Sequence, residues 1–143
     1  MPTDRFDEHC RDGGIGKAAA TDLRDLRDDL RSVVEGAPEA DAILTRWIDR
    51  LGLAVVVEDG AVRFHHDASP AGATLAVVLD TISTGTWHRL KACPDCRWVF
   101  YDRTRSGTKR WCLMNAAGPN GRGCGNIAKA RRHRARQRGT GSA

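Results

Sequence analysis

No stretch of this sequence approaches the roughly 18 consecutive apolar residues of a membrane span, so no membrane partner is expected. The opening residues, MPTDRFDEHCRDGG, carry acids and no apolar centre, which excludes a secretory leader and makes the cytoplasm the expected compartment. Aromatic residues are scarce, with one Tyr, three Phe and four Trp, so any core must be built mainly from aliphatic side chains. Acids nearly vanish toward the end. Residues 89–143 hold two Asp/Glu against 14 Lys/Arg, a net +12, whereas residues 1–88 hold 16 against nine, a net −7. That split suggests an acidic folded part and a basic part that meets nucleic acid or another polyanion.

Catalytic signatures are also missing. GIGK has the look of a phosphate-binding loop, but Arg11 stands where that motif opens with Gly, and no Ser or Thr follows Lys17. His65, His66 and His88 lack the orienting partner that a catalytic His needs. Neither His9 nor Cys10 has a spaced partner. The chain is therefore read as a binding protein and not an enzyme.

What is present is regular. Residues 1–20 show no periodicity and are expected to be disordered. From Thr21, the stripe Leu23, Leu26, Leu30, Val33 and Val34 predicts a helix stopped by Gly36-Ala37-Pro38. A second helix is expected from Pro38 through Ile43, Leu44, Trp47 and Ile48 to Gly52. LAVVVEDGAVRFHH reads as two strands about an Asp59-Gly60 turn. Ser69-Pro70 opens a third helix, which frays or kinks at Thr84-Gly85. So short a unit leaves the faces around Leu26, Leu30, Ile43 and Trp47 in need of cover, and a homodimer through this part is the expected source.

Four of the five cysteines gather in the basic part. Cys93 and Cys96 bracket Pro-Asp, Cys112 follows after 15 residues, and Cys124 after a further 11. The tight C-x2-C turn aims two sulfurs at one point, and Zn²⁺ takes four such thiolates in a tetrahedron. A Cys₄ zinc site is the leading reading, with a redox pair or an iron–sulfur site as alternatives. RWVFYD and KRWCLM read as a hairpin closed by RTRSGT, with Trp98, Phe100 and Trp111 as a small core. Knuckle, hairpin and a helix opening near Cys124 make a treble-clef-like arrangement, and the fold class is α+β: a small, mainly helical N-terminal domain with a β-hairpin, then a Cys₄ finger ending in a basic helix.

CPDCRWVFYDRTR, then RWCLM, then CGN with AKARRHRAR, resembles the CGNR zinc-finger family of bacterial proteins. Its members carry this finger behind a mostly helical ABATE domain and are described as stress-induced transcription regulators. The resemblance implies a shortened ABATE-like domain over 21–87, the finger over 88–138, a disordered tail over 139–143, and Zn²⁺ on Cys93, Cys96, Cys112 and Cys124. Two local departures stand out: Ile127 occupies the place of the family's arginine, and 115–123 looks like a loop insertion.

Lys129, Arg131, Arg132, Arg134, Arg136 and Arg138 are the candidate nucleic-acid ligands. A zinc tetrathiolate carries a formal charge of about −2 and accounts for one or two nearby cations, but not for those about 15 Å or more along the helix. Those suit phosphates. The expected partner is DNA, with RNA as the close alternative. A metal-dependent nuclease of ββα-metal type is the competing class; His133 would have to be its base.

Overall fold

The computed structural model describes residues 5–115 and 123–139. Most of the expected 115–123 insertion and 139–143 tail lies outside these residues. The chain divides between His88 and Arg89 into two compact units. Five helices and two small antiparallel hairpins make the fold α+β.

The first unit holds α1 (Phe6–Asp12), α2 (Lys17–Val34), α3 (Ala40–Leu51), the strands β1 (Ala54–Glu58) and β2 (Ala61–His65), and α4 (Pro70–Ser83). Ser69 Oγ accepts the Gly72 N–H at 3.0 Å, and Pro70 sits where a helix start has no N–H to satisfy. Gly52, at φ 61°, ends α3 in the left-handed conformation that other residues adopt only at a cost. Asp59 and Gly60 both have positive φ, as a two-residue hairpin turn between Glu58 and Ala61 requires.

Leu26 and Val33 of α2, Ile43, Leu44 and Trp47 of α3, and Ala71, Leu75, Val78 and Leu79 of α4 form the core, which Phe64 and Trp87 flank. Burial of each large side chain contributes about 1.5–3 kcal/mol. Trp47 also donates from Nε1 to Asp29 Oδ2 at 2.8 Å. The apolar faces that the sequence left in need of a partner are thus covered inside the unit, because α4 packs on both α2 and α3. Leu26, Ile43 and Trp47 are buried there and Leu30 is partly buried. Apolar side chains that do stay exposed include Val55 and Val57 of β1 and Val62 of β2.

The segment expected to be disordered contains α1 and the first turn of α2. Seven residues are too few to display a helical period, but Cys10 is buried and Phe6 lies under the Arg24 and Arg27 guanidiniums at 5.2 and 4.6 Å. Arg24 also pairs with Asp7. These contacts tie α1 to α2. No helix among the described residues is long and apolar enough to cross a membrane.

The second unit begins where a 3-10 turn, Trp87–Arg89, leads into β3 (Leu90–Ala92). β3 pairs antiparallel with β4 (Val99–Tyr101), Leu90 opposite Tyr101 and Ala92 opposite Val99. α5 (Cys124–Gly139) closes it.

Candidate metal centre and basic helix

The C-x2-C turn is the tip of the β3–β4 hairpin. Cys93 N–H donates to Trp98 O at 2.9 Å, and Arg97 N–H returns to Cys93 O at 2.8 Å, with Arg97 at φ 60°. This folds the loop so that Cys93 and Cys96 face the same point. Cys112 comes from the loop after β4, and Cys124 is the first residue of α5.

All four Sγ atoms lie within 4.8 Å of one another, with Cys96–Cys112 at 3.6 Å and Cys112–Cys124 at 3.8 Å. Metal–sulfur bonds of about 2.3 Å in a tetrahedron set sulfur–sulfur distances of about 3.8 Å, whereas a disulfide would need about 2.05 Å. The four cysteines are positioned to hold a metal ion, and all are free thiols. Burial opposes ionisation of Cys93, but backbone N–H groups of Cys112, Cys96 and Asp95 outweigh it, and its pKa falls to about 6. Burial and the Cys96 sulfur push Cys112 up to about 11, and the same two influences raise Cys124. The Cys93 thiolate is stabilised by the backbone, whereas Cys112 and Cys124 need a cation before they ionise.

A second device holds the loop between β4 and Cys112. Asp102 is fully buried, and its carboxylate accepts from Thr104 Oγ1 at 2.6 Å, Thr104 N at 3.0 Å, Lys91 Nζ at 2.9 Å and Lys109 N at 2.8 Å. Hydrogen bonding from Thr104, then from Lys91 and the loop backbone, holds its pKa well below the ordinary carboxylate range despite burial. Lys91 also donates to the carbonyls of Gly107 and Lys109, and Arg89 to those of Asp102 and Thr104. The sequence reading missed this network, although Asp-x-Thr is an Asx-turn signature.

The network also corrects the expected hairpin. KRWCLM is not a strand: the backbone around Lys109 bonds to Asp102 and Lys91, and β4 takes β3 as its partner. Nor do three aromatics make the expected core. Trp98 is 57% exposed, while Phe100 and Trp111 are half-buried, with Lys109 and Arg110 against their respective rings at 5.3 and 5.6 Å.

α5 starts at Cys124 itself, as the helix expected to open near that cysteine does. Its first-turn N–H groups find partners in the preceding backbone: Gly125 N donates to Leu113 O at 3.0 Å and Asn126 N to Met114 O at 3.2 Å. The Asn126 side chain donates to Asn115 Oδ1 at 2.8 Å. At Gly125 a Cβ would overlap Met114 Sδ and stand 3.2 Å from Met114 Cα. Cys-Gly-Asn is thus one ligand, one close approach and one loop clasp. Ile127 is half-buried.

Of the six candidate phosphate ligands, Arg131 is bonded to an acid: it donates to Asp95 Oδ1 at 2.8 Å, and that carboxylate is 3% exposed in the knuckle. Lys129, Arg132, Arg134, Arg136 and Arg138 are exposed along α5, which contains no acid. His133, the base that a nuclease would need, faces Gln137 at 3.0 Å between ring Nε2 and amide nitrogen.

Set beside known proteins, the chain matches no curated protein and no solved structure. Residues 89–137, which contain the four cysteines and nearly all of α5, match the family model of the CGNR zinc finger.

Proposed function

We propose that this chain is a zinc-held nucleic-acid-binding protein, a DNA-binding transcription regulator that presents α5 to duplex phosphates. The observation that carries the reading is the exposed and wholly non-acidic surface of α5 from Lys129 to Gly139, rooted in the metal centre through Cys124. Zn²⁺ is the ion that four thiolates at these separations suit, and it acts as scaffold. Cys93, Cys96, Cys112 and Cys124 hold it, and Arg131–Asp95 fixes the helix against the knuckle. In this reading residues 21–87 are a shortened ABATE-like domain.

The nuclease reading has less support. Four thiolates leave no open metal position, and His133 stands on the far helix surface without a carboxylate or second His beside it among the described residues. The test is duplex binding by the zinc-loaded chain across salt concentrations. If four cations engage phosphates, log K against log salt falls with slope about −3.6. Competition with an RNA duplex of the same sequence separates the two nucleic acids. No saturable duplex binding, or metal-dependent cleavage, overturns the reading.

A further inference from the structure

The cations of α5 are not spread evenly around it. At about 100° per residue, Arg134 and Arg138 fall on one flank of the helix, and Lys129 and Arg136 on the opposite flank. Cys124 and Gly125, which are buried, Ala128, which is half-buried, and Arg131, which is bonded to Asp95, mark the side facing the metal centre. Between the two flanks, on the side away from the metal centre, lie Ala130, His133 and Gln137, all exposed. The Gln137 amide nitrogen lies 3.0 Å from His133 Nε2, a contact that orients the amide.

A row of small and uncharged side chains between two rows of cations has one natural complement. A helix about 10–12 Å across fits the major groove of duplex DNA, about 12 Å wide, with a phosphate backbone on each side. From Lys129 to Arg138 the helix rises about 14 Å, the length of about four base pairs. Resting on the nucleic-acid reading above, we propose that α5 lies in the major groove, with Lys129 and Arg136 on one backbone and Arg134 and Arg138 on the other, and that Gln137, oriented by His133, reads an adenine between them. An amide side chain gives adenine both things its groove edge asks for: an acceptor for N6–H and a donor for N7. The A-form major groove of RNA is too deep and narrow for this docking.

The experiment uses the zinc-loaded full chain and duplexes enriched from a random-sequence DNA library. Enriched duplexes should contain an adenine whose replacement by 7-deazaadenine, which alters only the major-groove edge, weakens binding about tenfold. Gln137→Ala should abolish that discrimination while leaving the salt slope unchanged, and His133→Ala should reduce it. Lys129→Gln with Arg136→Gln, and Arg134→Gln with Arg138→Gln, should each flatten the slope by about 1.8. The exposed positions make misfolding easy to exclude by zinc content. Duplex binding indifferent to 7-deazaadenine, adenine preference that survives Gln137→Ala, or slope loss confined to one pair overturns this inference alone. Absence of duplex binding overturns the function reading with it.

Discussion

Replacing Arg134, Arg136 and Arg138 together by Ala separates a nucleic-acid interface from a solvated charge run. These side chains are exposed and lie ten or more residues beyond Cys124, about 15–21 Å along the helix. At about 15 Å, the −2 charge of a zinc tetrathiolate attracts a cation by about 0.5 kcal/mol in water, and screening at 0.1 M salt reduces this to about 0.1 kcal/mol. The metal site therefore neither holds these arginines nor depends on them. Each phosphate contact contributes about 0.9 to the salt slope, so removing three of four changes it from about −3.6 to about −0.9. Between 50 and 200 mM salt the unaltered chain should lose about 150-fold in affinity, and the triple variant only about three- to fourfold. Fluorescence anisotropy with a labelled duplex, with zinc content checked alongside, gives both slopes. Equal slopes would show that these cations never reach phosphate.

Arg131→Ala should leave the same slope within about half a unit, since Arg131 is already bonded to Asp95; a loss near 0.9 would mean that the pair opens on DNA. Asp102→Asn should lower the thermal midpoint of the finger at about pH 7. The Asp102 pKa is depressed in the folded state, so its contribution is complete above the unfolded value of about 3.9 and fades as pH falls through the folded value. The gap between the two proteins should therefore narrow in acid below about pH 4, and a gap independent of pH contradicts the network. Gly125→Ala should destabilise the finger by about 1 kcal/mol, because the exposed Met114 side chain can swing away but its backbone at 3.2 Å cannot. Chemical denaturation of the zinc-loaded protein measures it, and a neutral result would mean that α5 is seated less closely than the geometry states.

The helices of the first unit were legible because Leu26, Val33, Ile43, Leu44, Trp47 and Leu75 repeat at helical spacing and Ser69-Pro70, Gly52 and Asp59-Gly60 punctuate them. α1 was not, since seven residues, about two turns, carry no period and its anchor is Phe6 beneath two arginines. The four cysteines announce themselves by spacing, and sulfur positions follow from a short turn and a helix start. Asp102 was overlooked because its partners, Lys91 and Lys109, lie 11 and seven residues away, and charge counts cannot tell a buried carboxylate from a solvated one. Arg131 looked like its neighbours for the same reason: its partner Asp95 is 36 residues earlier, inside the knuckle.

Native mass spectrometry of the full chain mixed with duplex DNA tests the account at its centre, because it weighs metal and nucleic acid on the same molecule. The account predicts that every duplex-bound chain carries one zinc, and that Cys112→Ser, which removes one of four converging sulfurs and with it much of the roughly 10–16 kcal/mol that structural zinc contributes, yields neither the zinc nor the complex. Duplex-bound chains without metal, or a Cys112→Ser protein that keeps full zinc occupancy, would contradict it.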